Sequence, residues 1–76
     1  MEGLNSKIAF EINEEIIKAK TKHPGDFYSL HEGYAVLLEE VDEVWDDIKK
    51  DQSKETIKKE LIQVAAMAVR MIQELC

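Results

Sequence analysis

The chain has 76 residues, 45% of them hydrophobic, and sets ten basic side chains against sixteen acidic ones for a net charge of −6. A chain this short makes one small domain, burying about 60% of its unfolded surface, and its acidity argues against nonspecific binding to nucleic acid or anionic membrane. The lone Cys76 permits no internal disulfide, no basic segment leads into an apolar leader, and the most apolar run, 61–69, falls far short of the roughly 20 residues of a membrane span, so a cytoplasmic protein is expected.

Three helical patterns occupy almost the whole chain, and no stretch alternates as a strand would, so the fold class is all-α. The first helix is predicted from about Leu4 to Thr21, with Ile8, Ile12, Ile16 and Ala19 on one face and Phe10 and Ile17 on a second apolar edge. The segment 22–28, KHPGDFY, combines proline, glycine and aspartate and is read as a loop. In it, Phe27 or Tyr28 could stack on a base or cover the open end of the core.

The second helix starts at a capping box, Ser29 with Glu32 three residues on, and runs to about Lys50. Its apolar stripe is Leu30, Tyr34, Leu37, Leu38, Val41, Val44, Trp45 and Ile48, read as the core face. Lys49 and Lys50 suit the negative end of the helix dipole. After a short connection Ser53 caps the third helix, 54–75, whose stripe is Ile57, Leu61, Val64, Ala65, Ala68, Met71, Ile72 and Leu75. Ile62, Ala66 and Val69 lie off that stripe, so this helix is apolar nearly all round. Two other helices of one small chain can hardly cover it, which predicts a helical bundle formed by a dimer or higher oligomer.

The most unusual stretch is EEVDEVWDD at 39–47, six carboxylates in nine residues without a lysine or arginine. Like charges three or four residues apart on a helix cost a few tenths of a kcal/mol per pair, so these groups require open solvent or a cation. The short connection predicts that the second and third helices form a long antiparallel hairpin. Counting outward from Gln52 at about 1.5 Å per residue brings Glu40 and Glu43 level with Glu60 and Gln63. Four oxygen-bearing side chains could converge, the donor set a hard divalent ion such as magnesium prefers.

This pattern resembles the MazG-like all-α nucleoside triphosphate pyrophosphatase superfamily. The stretch EEVDE at 39–43 fits that family's Glu-Glu-x-x-Glu motif, and Glu60 follows after 16 residues, where a Glu-x-x-Asp motif begins in those proteins. The likeness spans roughly residues 5–75, including the lead-in HEGYAVLLEE, and implies a single MazG-like domain over 1–76. It implies hydrolysis of a nucleoside triphosphate to a monophosphate and pyrophosphate with Mg²⁺ or Mn²⁺. Glu40, Glu43 and Glu60 are then the expected ligands, with Gln63 a weaker one and Glu39 the general base. Lys20, Lys22, His23 and Arg70 are the expected substrate contacts.

The pattern departs from the family in two respects. Gln63 stands where the family has aspartate, which removes a negative charge from the site, and the sequence ends at Cys76, where relatives continue into a segment that supplies cations to the phosphates. Phosphate contacts could then come from a neighbouring subunit. The alternative is a noncatalytic helical module that oligomerises or senses nucleotides through a degenerate metal site.

Other site chemistries fit less well. Neither His23 nor His31 stands three residues after a glutamate, so the Glu-x-x-His pattern of di-iron bundles is absent. Residues 42–53 lack the central glycine and alternating oxygen ligands of a calcium loop. Asp42, Asp46 and Asp47 are read as surface charges, and Tyr34 and Trp45 as core.

Overall fold

The computed structural model describes residues 3–76, and among these the secondary structure is entirely helical. Helix α1 spans Ser6–Lys22, α2 Leu30–Lys49 and α3 Lys54–Leu75. Each begins at a side chain able to accept from the orphan N–H groups of a first turn. Asn5 accepts from Lys7 and Ile8, Ser29 from Glu32 and Ser53 from Thr56. Asn5 therefore delays the first helix by two residues relative to the apolar pattern. The capping box of α2 is also modified: Glu32 reaches back past Ser29 and accepts from the Tyr28 N–H at 2.7 Å.

Helix α2 ends in a Schellman motif. Gln52 N–H donates to the Asp47 carbonyl at 3.0 Å and Asp51 N–H to the Ile48 carbonyl at 3.1 Å, with Asp51 in the left-handed region at φ 54°. Aspartate tolerates that conformation better than most residues but without the freedom of glycine.

Helices α1 and α2 each pack on α3 and not on one another. The first residues of α2 lie beside the last turns of α3. A side chain built on the buried Gly33 would approach Met71 at 3.0 Å and Leu75 at 3.2 Å, so the missing Cβ sets how closely the helices approach. Lys58 of α3 pairs with Glu11 of α1 at 3.0 Å.

Among the described residues the buried apolar core is small, namely Val44, Ala66 and Met67, with no large side chain fully covered. Here the sequence expectation requires correction. Of the stripe read as the core face of α2, only Val44 is buried and Leu37 half-buried, whereas Leu30, Tyr34, Leu38, Val41, Trp45 and Ile48 are exposed. The residues of α2 turned inward are Gly33, Val36, Leu37, Glu40, Val44 and Asp47. Periodicity located the apolar stripe correctly, but α3 approaches α2 along a flank that also carries carboxylates. No described helix is long and apolar enough to cross a membrane.

Candidate functional site

Glu40 lies on the inward flank of α2, and Glu43 follows one turn later on nearly the same side. Both come from a helix whose backbone is fixed at its start by Ser29 and at its end by the Schellman turn. Glu60 projects from the second turn of α3. One carboxylate oxygen from each of Glu40, Glu43 and Glu60 lies within 4.8 Å of the other two. Glu40 and Glu60 are half-buried and Glu43 is exposed, so the group opens to solvent on one side.

Two oxygens set this group apart from an ordinary solvated acidic face. Oε2 of Glu40 and Oε2 of Glu60 are buried without a hydrogen-bond partner. Buried polar atoms are rarely left so. The electrostatics agree: burial, then the neighbouring carboxylates of Glu43, Asp47 and Glu40, push the Glu60 carboxyl up from 4.5 to about 7. Burial and the negative charges of Glu43, Glu15 and Glu39 also raise Glu40 above the usual carboxylate range. Asp47, read from sequence as a surface charge, is half-buried and acts on Glu60.

Because α1 and α2 do not meet, a cleft of about 590 Å³ runs between them over α3, inside the range of about 300–1,000 Å³ of small-molecule sites. Val36, Ala19 and Met67 supply its apolar surface, Glu40, Gln63 and His23 line it, and Lys18, Lys22 and Arg70 bring cations to it. A larger hollow of about 810 Å³ between α1 and the first half of α3 shares Glu15, Lys18 and Gln63 with it. Of the expected site residues the larger hollow holds Gln63 alone, so the smaller cleft is the one placed to serve the carboxylates.

The expected site residues thus fall into four sets. Glu40, Glu43 and Glu60 converge, and Gln63 lines the adjoining cleft one turn beyond Glu60. Glu39 is exposed and stands outside the three-carboxylate group. Lys22 and His23 are exposed where α1 gives way to the loop.

Lys20 and Arg70 are engaged in a clasp that the sequence reading missed. Glu74 accepts from Arg70 Nε at 2.9 Å and from the Phe27 N–H at 2.7 Å, and Lys20 lies 3.4 Å from it. The Arg70 guanidinium donates to the Gly25 carbonyl at 3.4 Å and stacks 4.4 Å from the centre of the Phe27 ring. Lys20 also pairs with Asp26. The Arg70 and Glu74 side chains are only 6% and 7% exposed, and the hydrogen bond from Arg70 with that from the Phe27 amide holds the Glu74 carboxyl down at about 2. The Arg70–Glu74 spacing of four residues on one helix was the available signal. Phe27 is thereby engaged by the clasp, while Tyr28 is 92% exposed.

Comparisons with protein families, with curated proteins and with solved structures find no match for this chain.

Proposed function

We propose that the chain is a metal-dependent nucleoside triphosphate pyrophosphohydrolase that converts a nucleoside or deoxynucleoside triphosphate to the monophosphate and pyrophosphate. The observation that carries this reading is the meeting of Glu40, Glu43 and Glu60 from two helices, with two buried oxygens unpartnered, beside a cleft edged by cations. The donor set fits a hard ion: hard carboxylate oxygens, one open side, and neighbouring carboxylates that repel in its absence. Bound Mg²⁺ or Mn²⁺ would screen the triphosphate and polarise the phosphorus under attack.

The reading takes α2 and α3 as an antiparallel hairpin, which accounts for Gly33 lying by Met71 and Leu75 while Glu43 meets Glu60. Glu40, Glu43 and Glu60 hold the ion, and Gln63 offers a neutral carbonyl oxygen. Glu39, solvated and adjacent to Glu40, takes the proton of the attacking water. Lys22 and His23 bind phosphate oxygens, whereas Lys20 and Arg70 shape the cleft through the clasp. The protein works in the cytoplasm as a dimer or tetramer.

The experiment is incubation of the purified protein with Mg²⁺ or Mn²⁺ and a panel of unmodified and modified triphosphates. Wild type releases pyrophosphate and Glu43→Ala does not; no release by wild type with any substrate contradicts the proposal. A noncatalytic nucleotide-sensing or oligomerisation module is the second reading, favoured by Gln63 in place of an aspartate. Under it Gln63→Asp gains metal affinity or activity that wild type lacks.

A further inference from the structure

We infer that Glu15 of α1 completes the carboxylate site from across the cleft: it accepts hydrogen bonds from water held by the bound ion and so ties α1 to the α2–α3 pair whenever the ion is present. The inference rests on the metal site proposed above and not on the hydrolysis assigned to it.

The inward side of α1 carries Ile8, Glu11, Ile12, Glu15, Ile16 and Ala19, all half-buried, at the spacing of one helix face. Two carboxylates are therefore drawn into the contact with α3. Glu11 finds a partner there in Lys58 at 3.0 Å. Glu15, one turn on, has Lys18 Nζ at 3.8 Å as its ion pair among the described residues, and that lysine is 77% exposed where Glu15 is 22% exposed. So long a contact to a solvated lysine contributes little. The packing of α1 thus gives no reason for a carboxylate at this position.

The cleft gives one. Glu15 lines it together with Glu40 of α2 and Gln63 of α3, and because α1 and α2 do not pack on each other, Glu15 and Glu40 stand on facing walls. The charge of Glu15 acts on Glu40 more strongly than that of Glu39, the next residue in the chain. Glu15 nevertheless lies outside the three carboxylates whose oxygens come within 4.8 Å of one another. It is near enough to act on the group and stands back from direct ligation.

A hydrated ion suits a carboxylate so placed. Mg²⁺ keeps several of its waters when carboxylates bind it, and those waters turn strongly donating hydrogens outward. Exposed Glu43 leaves the group open to solvent on its own side, whereas on the cleft side the hydrogens meet Glu15 and the Gln63 carbonyl. Without the ion, Glu15 and Glu40 repel across the cleft. The ion cancels most of that repelling charge and directs bound-water hydrogens at Glu15, so repulsion becomes attraction.

The test uses Mn²⁺ alone, without nucleotide, in calorimetric titrations. Wild type binds the ion, and Glu15→Gln binds it at least about tenfold more weakly, as loss of a carboxylate that orients bound water or ligands does elsewhere. Glu14→Gln, which removes an exposed carboxylate one residue away, stays within about twofold because that charge is screened by salt. In chelator Glu15→Gln melts no lower than wild type, since the substitution removes a repulsion and keeps the size of the side chain. Hydrogen exchange of the α1 amides slows when Mn²⁺ is added to wild type and does not slow in Glu15→Gln. Equal affinities for wild type and Glu15→Gln, or equal weakening by Glu14→Gln, overturn the inference and leave the metal site standing. A wild type that binds no Mn²⁺ overturns both. A Glu15→Gln protein that unfolds or melts lower in chelator makes Glu15 a structural residue, and α1 exchange in wild type that ignores Mn²⁺ removes the tie; either result sinks the inference.

Discussion

Glu74 is the residue on which the loop between α1 and α2 depends. Its carboxylate answers the Arg70 guanidinium and the Phe27 amide together, so removing it leaves a buried cation without its counter-charge and an amide donor without an acceptor. Glu74→Ala should therefore cost on the order of 3 kcal/mol in chemical denaturation. The pH dependence is separable from this loss. A carboxyl held at about 2 against an ordinary 4.5 contributes stability fully present above 4.5 and lost as pH falls towards 2. Glu74→Gln should accordingly show a shallower decline over that interval than wild type. Equal slopes for the two proteins would mean that Glu74 is not ionised within the clasp.

At the level of elements, the turn between α2 and α3 fixes which residues meet. Asp51 occupies its left-handed position at φ 54°, where glycine is unstrained, so Asp51→Gly should gain about 0.5 kcal/mol, read as a higher Tm. Gly33 sets the other end of the contact. Gly33→Val would press into Met71 and Leu75 and should cost about 1–3 kcal/mol; an unchanged midpoint would show that α2 and α3 do not approach so closely. Much of this was legible in the sequence. Ser29 and Ser53 cap where their side-chain chemistry predicts, the bounds of α3 are those read from its periodicity, and counting outward from Gln52 brought Glu43 and Glu60 level. The choice of inward face was not legible, because periodicity locates an apolar stripe without saying which neighbour covers it. On α2 the stripe from Leu30 to Ile48 stays open while the flank carrying Glu40 turns to α3. The clasp was missed for a related reason: the Glu74–Phe27 contact joins residues 47 apart, and only the four-residue spacing to Arg70 was visible locally.

For the whole molecule, the carboxylate group couples folding to protons and, under the proposed function, to metal. Glu60, raised from 4.5 to about 7, contributes stability that is fully present below 4.5 and is lost as pH rises through about 7. In chelator at pH 8, Glu60→Gln should therefore melt above wild type. With saturating Mg²⁺ the order should reverse, because an ion that binds only the folded state stabilises it by mass action and the variant has lost a ligand. No reversal would leave Glu60 a buried acid without a metal role. The convergence of three side chains on one cation is tested most directly by calorimetric titration of Mn²⁺ into wild type and Glu60→Gln at pH 6.5. Wild type should bind one equivalent and release a proton to the buffer as it does so, and Glu60→Gln should bind at least about tenfold more weakly with no such release. Equal, weak binding by both proteins, without proton release, would contradict the account.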